Sequence, residues 1–525
     1  MSLFGRAARL STITSGAIRR RTTTTTSKTT RQCIFYKRYR QLSTKTAKTA
    51  ASSDSWILEL QSHLATTEVE FSVNKYELER HGRGESYHPT ETPDVVVCPT
   101  SVDDVITIVQ FCAKHKIPIV PFGVGTSVEG HVCCLQGGIS LDMKNFVNME
   151  IPNMEDDLLP DPIATVGAGV TRNTLNEALR HTGLQFVVDP GADATLGGMV
   201  ATGASGTTAV QFGTMRENIL AVQCVLADGT LVNTGTKALK NSAGYDLLGL
   251  LCGSEGTLGV ITEITVKLHP IPENVMAAVC VFDSLQDAAQ TVTMLKLCNI
   301  PLLRCELLDA MSVKAFNQYQ EQQPNNTATK REEKPTLFLE FQAPSMTSLE
   351  EQVQMTQSIC QDYGGSGFDY CSDEEERKAL WAARHSLYYA SVKLRPGAKG
   401  AILTDACVPL SQFASVIQET AQEIEEKGVV APTFGHAGDG NFHTIIPIGE
   451  DDSEEYIETL HEISNNIVLR SLAAGGTCTG EHGVGYGKTK YLEQQYGPGA
   501  VHMMRLVKKS LDPHNIMNPG KVIPN

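Results

Sequence analysis

The sequence predicts an α+β fold of two folded parts, and three observations carry that reading. From Asp94 to about residue 270, short apolar strands alternate with glycine-rich turns, the texture of a mixed α+β domain. From Val275, strand-like and helix-like runs alternate at lengths that suit a second α+β domain with a largely antiparallel sheet. The 525-residue length and 41% hydrophobic content are enough for two or three domains with sizeable cores.

The elements follow in chain order. SWILELQSHL, after Asp54, reads as a helix, and a polar, charged segment continues to Thr92. DVVVCP reads as a buried strand, SVDDVITIVQFCAKHK as an amphipathic helix capped by Ser101, and IPIVPFG as another strand. ATVGAGV, FVVDPGA and GVITEITVKLHP read as further strands of the first domain. In the second, MAAVCVF, a helix from Ser284 to about Asn299, LLRCELLD and TLFLEFQA alternate. Residues 318–335, QYQEQQPNNTATKREEKP, lack an apolar period and read as a loop. TDACVPL and HTIIPI read as strands separated by a long helix, Leu410–Lys427, and an amphipathic helix precedes the terminal DPHNIMNPGKVIPN. Boundaries are expected near 55–272 for the first domain and 273–480 for the second, with 481–525 as a C-terminal segment.

Charge narrows the function classes. Residues 1–50 hold twelve Lys and Arg and no acid, so the remainder carries 32 basic against 59 acidic residues, or −27. An arginine- and hydroxyl-rich, acid-free start has the composition of a mitochondrial targeting segment, with RYRQLS (38–43) as a cleavage region. A basic tail for nucleic acid or membrane surfaces shares that composition, but the basic excess stops where the folded-looking sequence begins, which favours targeting. The acidic remainder argues against a nucleic-acid partner. No apolar run is long enough for a transmembrane helix. The expected location is therefore mitochondrial, in the matrix or associated with the inner membrane. Fourteen cysteines are scattered without a C-x-x-C, which excludes a zinc-finger or dithiol framework and suits a reducing compartment.

Three glycine-rich stretches, 121–131, 189–214 and 251–262, are flanked by apolar strands. Small residues let backbone N–H groups approach phosphates, although tight turns of a β-rich domain use the same residues. Gly123-Val-Gly125 lacks the third glycine of a dinucleotide fingerprint, and HGVGYGKT holds His482 where a P-loop needs its first glycine. A nicotinamide dehydrogenase and a P-loop ATPase are thereby disfavoured.

PFGVGTSVEGH, DPGADATLGGMVATGASGT, the Arg216 and Asn218 of FGTMRENIL, and CGSEGTLGVITEITVKLHP together resemble the FAD domain of the vanillyl-alcohol oxidase-like flavoproteins. WAARHSLYYA, GHAGDGNFH, GTCTGEHGVGYGK and MNPGK resemble the D-lactate dehydrogenase branch of that superfamily, so the likeness spans about residue 90 to the end. The resemblance implies a two-part FAD-binding domain of the PCMH type with noncovalent FAD, a substrate or cap domain, and a tail that returns to the FAD domain. It assigns Pro121, Gly123, Gly125, Thr126 and Ser127 to the pyrophosphate. Pro190, Gly191, Gly197, Gly198, Ala204, Ser205 and Gly206 would surround the adenine and isoalloxazine, with Glu255, Gly256, Ile261 and Asn518 completing the site. His131 is a candidate covalent tether, but the motif reads as the noncovalent type.

His436, His443 and Glu481 form a two-nitrogen, one-oxygen set that suits Zn²⁺ or Mn²⁺ and leaves positions open for substrate. Spacing alone leaves a second reading open, that of hydrogen-bonded core histidines; the resemblance favours the metal. Asp439 and Asn441 can orient those ligands. Oxidising a 2-hydroxy acid requires loss of the hydroxyl proton and of a hydride from the same carbon; His482 is the candidate base and the flavin the hydride acceptor. Arg384 is the candidate anchor for the substrate carboxylate, with Lys399 a second cation. Tyr388 stands where the animal pattern has tryptophan, and a turn after Arg384 on one helix it would line the substrate pocket. The resemblance implies oxidation of D-lactate, or a similar small D-2-hydroxy acid, to the keto acid, with cytochrome c as electron acceptor. The closest rival is a D-2-hydroxyglutarate dehydrogenase of the same fold, which would need a second cationic anchor.

Overall fold

The computed structural model describes residues 53–153, 160–322 and 330–524. The basic segment 1–50, its cleavage region 38–43 and part of the expected loop at 318–335 lie outside those residues. All sheets and the site belong to the compact unit Glu59–Asn525.

The first sheet runs in the order Glu70–Ser72, Val95–Cys98, Ile139–Asp142, Ile119–Phe122. Its last three strands are parallel, and a parallel pair needs a crossover. The helix Val102–His115 is that crossover, and its N-terminus is held by the side chain expected to cap it. Ser101 Oγ accepts the Asp104 N–H at 3.2 Å while Asp104 Oδ2 accepts the Ser101 N–H at 2.9 Å, a complete capping box. Ser101→Ala is expected to lower unfolding free energy by about 1 kcal/mol in urea titration. The edge of this sheet is finished by the far end of the chain: Ile119 N–H donates to Ile516 O and Asn518 N–H to Ile119 O, both at 2.8 Å. The tail thus returns to the first part of the chain.

A second, antiparallel sheet runs Met149–Glu150, Ile163–Gly167, Gly259–Lys267, Ile219–Leu226, Leu231–Gly235. The third sheet has eight strands, and every pairing in it is antiparallel, as the sequence predicts. Strand alternation gives it two buried faces. Leu337, Leu339 and Phe341 join one core with Phe413, Ile417, Ile463 and Ile467 from the helices Leu410–Lys427 and Glu454–Ala473. Phe338, Phe434 and Ile445 join the other, under the helices Ala310–Glu321, Glu374–His385 and Leu387–Lys393. The second face carries the polar chemistry described below. Among the described residues, no helix is long and apolar enough to cross a membrane.

Four sequence expectations need correction. FVVDPGA is not a strand: Asp189 and Val187 take hydrogen bonds from Thr207 and Thr208, which replace a ladder partner. TDACVPL keeps only the two-residue strand Ala406–Cys407, because Thr404 and Asp405 interrupt the ladder and turn a carboxylate inward. The loop expected from residue 318 begins later, since the helix Ala310–Glu321, capped by Asp309, buries Val313 and Phe316. Arg384 and Tyr388 lie on two consecutive helices rather than one, with the break at Ser386 (φ −83°, ψ 0°).

Candidate active site

The strand Thr433–His436, a tight turn and the strand Asn441–Gly449 bring two histidines to the same face of the large sheet. Gly440, at φ 74°, makes the turn in a conformation that side-chain-bearing residues rarely adopt. Across the register Phe434 opposes His443, and Glu306 of the strand Leu302–Leu308 opposes His436. The carboxylate of Glu481 completes the group: its Oε1 lies 3.2 Å from His436 Nε2 and 3.1 Å from His443 Nε2. The opposite ring nitrogens have oxygen partners, His436 Nδ1 at 2.7 Å from Glu306 Oε1 and His443 Nδ1 at 3.3 Å from Thr404 O. With protons on the Nδ1 atoms, both Nε2 lone pairs would be left for an ion shared with that carboxylate oxygen, the arrangement that second partners impose on metal-binding imidazoles. The donor set therefore fits a divalent ion of the Zn²⁺ or Mn²⁺ type. Burial disfavours charge on His436, but the carboxylates of Glu306 and Glu481 outweigh it and raise its pKa well above the usual histidine range, so the site favours a positive charge that a bound divalent ion would supply in place of the Nε2 proton. Burial likewise opposes ionisation of Glu481, yet His436 and His443 hold it well below the ordinary carboxylate range.

The turn that carries Glu481 and His482 hangs on a residue the sequence reading did not single out. Asp405 is fully buried, and its Oδ2 accepts from Thr479 Oγ1 (2.6 Å) and from the backbone N–H groups of Gly480, Glu481 and His482 (2.7, 2.9 and 2.9 Å). Asn441, expected as an orienting residue, donates to Asp405 Oδ1 at 2.7 Å. Glu255 anchors the other side of the turn, accepting from Val484 N–H (2.6 Å) and Gly485 N–H (2.8 Å). His482 stacks on His443 with ring centroids 4.8 Å apart. Its Nδ1 is buried without a partner, and burial pushes its pKa down to about 4, so the ring is neutral at pH 7.

Arg384 is buried and held by Glu306 Oε2, which accepts from Nε at 2.9 Å and from Nη2. Its guanidinium sits 4.7 Å from the Phe434 ring centroid. With Nε and one face of Nη2 occupied, Nη1 remains for a ligand. Tyr388 is half-buried beside it in the same cavity. Lys399 is not brought there: it lies on the strand Ala398–Leu403 with its side chain 66% exposed and paired with Glu450. A register shift between Ala398 and Gly400 takes Lys399 out of the regular pairing, and it does not line the cavity, so the structure does not support it as a substrate anchor.

Arg384, Tyr388, His436, His443, Glu481 and His482 line one cavity of about 340 Å³. The glycine-rich cradle lines the same cavity, and each of the sixteen residues from Pro121 to Asn518 singled out for the cofactor is part of that lining. The cradle's backbone is packed too tightly against its own neighbours to carry side chains at two of its glycines. A Cβ on Gly123 would sit 2.3 Å from Thr195 Oγ1, and one on Gly206 would meet Asp189 Oδ1 at 2.4 Å. Gly256, at φ 70°, holds the turn beside Pro121. Ser127 Oγ is buried there without a protein partner, a polar atom free for a ligand. Asn518 ties the cradle together by donating to His131 O (3.1 Å) and Glu255 O (2.8 Å). His131 lines the cavity with its Nε2 3.2 Å from Glu255 Oε2.

Comparison with known proteins gives a consistent picture. A family model described as FAD binding domain matches residues 93–235, and one described as FAD linked oxidases, C-terminal domain, matches residues 271–522. The chain is 45% identical over 456 residues to a probable mitochondrial D-lactate dehydrogenase of Danio rerio, covering 86% of this chain and 88% of the relative. It is 41% identical to the mitochondrial D-lactate dehydrogenase [cytochrome] of Arabidopsis thaliana, covering 85% and 76%. Among solved structures, p-cresol methylhydroxylase superposes with a TM-score of 0.71 over 91% of this chain and 98% of that one, at 16% identity. Alkyldihydroxyacetonephosphate synthase superposes at 0.66 over 88% and 85%, at 19% identity. Both structural likenesses concern the fold.

Proposed function

The chain belongs to the family of FAD-linked D-lactate dehydrogenases, and from that premise we propose that it oxidises D-lactate to pyruvate in the mitochondrion and hands the electrons to a cytochrome c. The observation that carries the reading is a shared lining: Arg384, His436, His443, Glu481 and His482 line the same cavity as the glycine cradle. When bound, a Zn²⁺ or Mn²⁺ ion on His436, His443 and Glu481 supplies acidification of the 2-hydroxyl, and noncovalent FAD on the cradle supplies the hydride acceptor. Arg384 holds the substrate carboxylate through Nη1, a charge-assisted bond that fixes which face of the 2-carbon meets the cradle. His482 takes the hydroxyl proton at Nδ1, with Asp405 fixing the backbone that presents it. Tyr388 bounds the space left for the substrate's side chain.

Monocarboxylates are favoured over 2-hydroxyglutarate by one further feature. Among the described residues lining the cavity, Arg384 is the only arginine or lysine, so a second carboxylate would be desolvated without a matching cation. The test is anaerobic mixing of flavin-loaded protein with D-lactate, L-lactate and D-2-hydroxyglutarate, following flavin absorbance. Rapid bleaching by D-lactate is expected. Faster bleaching by D-2-hydroxyglutarate would reassign the substrate, and no bleaching by any of the three would end the reading.

A further inference from the structure

Glu306 lies outside every motif that marks the site, yet it touches both halves of the substrate-binding wall. It is fully buried on the strand Leu302–Leu308, opposite His436 in the antiparallel register. Its two oxygens are divided between two partners: Oε1 lies 2.7 Å from His436 Nδ1, and Oε2 accepts from Arg384 Nε and Nη2. We propose that Glu306 is a positioning residue that joins the carboxylate anchor to the ion-holding histidine, so that one side chain sets both the affinity for the divalent ion and the KM for the hydroxy acid. The inference rests on the function proposed above.

A buried carboxylate is costly without cationic or N–H partners, and this one has both in fixed directions. Accepting the Nδ1 proton of His436 selects the tautomer whose Nε2 lone pair points to Glu481 Oε1, 3.2 Å away. Accepting from Nε and Nη2 pins the guanidinium in its plane against Phe434 and leaves Nη1 to the cavity. A single cross-strand residue thereby fixes Arg384 and His436 relative to one another. An exposed arginine or a histidine with a water partner would hold neither.

Glu306→Gln tests this. An amide presents one oxygen where two are needed. Turned to His436 it offers the NH₂ to a guanidinium; turned to Arg384 it donates to Nδ1 and forces the proton onto Nε2. The variant should keep its flavin and a cooperative thermal melt. Its affinity for Mn²⁺, measured by the magnetic resonance signal of free Mn²⁺ without substrate, should fall about 10–100-fold. At saturating Mn²⁺ its KM for D-lactate should rise by a comparable factor, with the maximal rate of flavin reduction changed less. Glu306→Asp keeps the charge but falls a methylene short of spanning both partners, and the same paired losses are expected of it. A flavin-loaded variant in which either quantity stays at its wild-type value overturns the shared role. Wild-type protein that takes up no Mn²⁺, or whose flavin D-lactate does not reduce, instead overturns the function on which the inference rests.

Discussion

Replacing His482 by alanine is expected to slow D-lactate-driven reduction of the flavin about 10²–10⁴-fold, the usual worth of a positioned general base. The size follows from three features. The ring is buried and its pKa is pushed down to about 4, so it is uncharged at neutral pH and needs no prior deprotonation. Its Nδ1 has no protein partner to displace. Its orientation is set by the stack on His443 and by the backbone N–H that Asp405 accepts at 2.9 Å. His482 is not in the three-residue ligand set, so metal content should be unchanged in the same preparation. Anaerobic stopped-flow absorbance with elemental analysis measures both; a rate within a few-fold of wild type would remove His482 from the role of base.

Asp405→Ala is expected to be the most damaging single change to stability, at about 3–5 kcal/mol in chemical denaturation, because it unpairs a buried polar network. One oxygen of this side chain accepts from four donors of residues 479–482, and the other from Asn441. Alanine leaves those donors buried without partners, each at about 1–3 kcal/mol if nothing relaxes. Burial opposes the charge on Asp405, yet His482, Lys488 and His443 hold its pKa far below the ordinary range, so it stays ionised. Asp405→Asn keeps the shape but turns a donor toward the turn, and should retain more stability than alanine while still displacing Glu481 and His482. Unfolding midpoints for both variants, read beside flavin-reduction rates, give the test; an alanine variant as stable as wild type would show that the turn is held by other contacts.

What could be read from the chain, and what could not, divides by sequence distance. The helix at 102–115 was legible because its cap and its apolar period lie within one turn of each other. The strands of the large sheet were legible where alternation is unbroken, as in Thr336–Ala343. FVVDPGA looked like a strand for the same reason, and only Thr207 and Thr208, some twenty residues on, decide otherwise. Lys399 looked like a cation near a motif, and only the register shift between Ala398 and Gly400 and the partner Glu450 set it at the surface.

By itself the sequence determined the α+β class, the antiparallel character of the large sheet, the order of the glycine stretches and the placing of His436 and His443 on either side of a glycine-rich turn, because those depend on period, caps and residues a few positions apart. The tertiary structure alone decided which distant groups meet. Glu306 reaches His436 across 130 positions and Arg384 across 78, Asp405 reaches Glu481 across 76, and Asn518 reaches His131 across 387. Such pairs leave no spacing in the chain. They arise because antiparallel register and the returning tail place side chains of one face together, and a buried charge is stable only where that register supplies its partner.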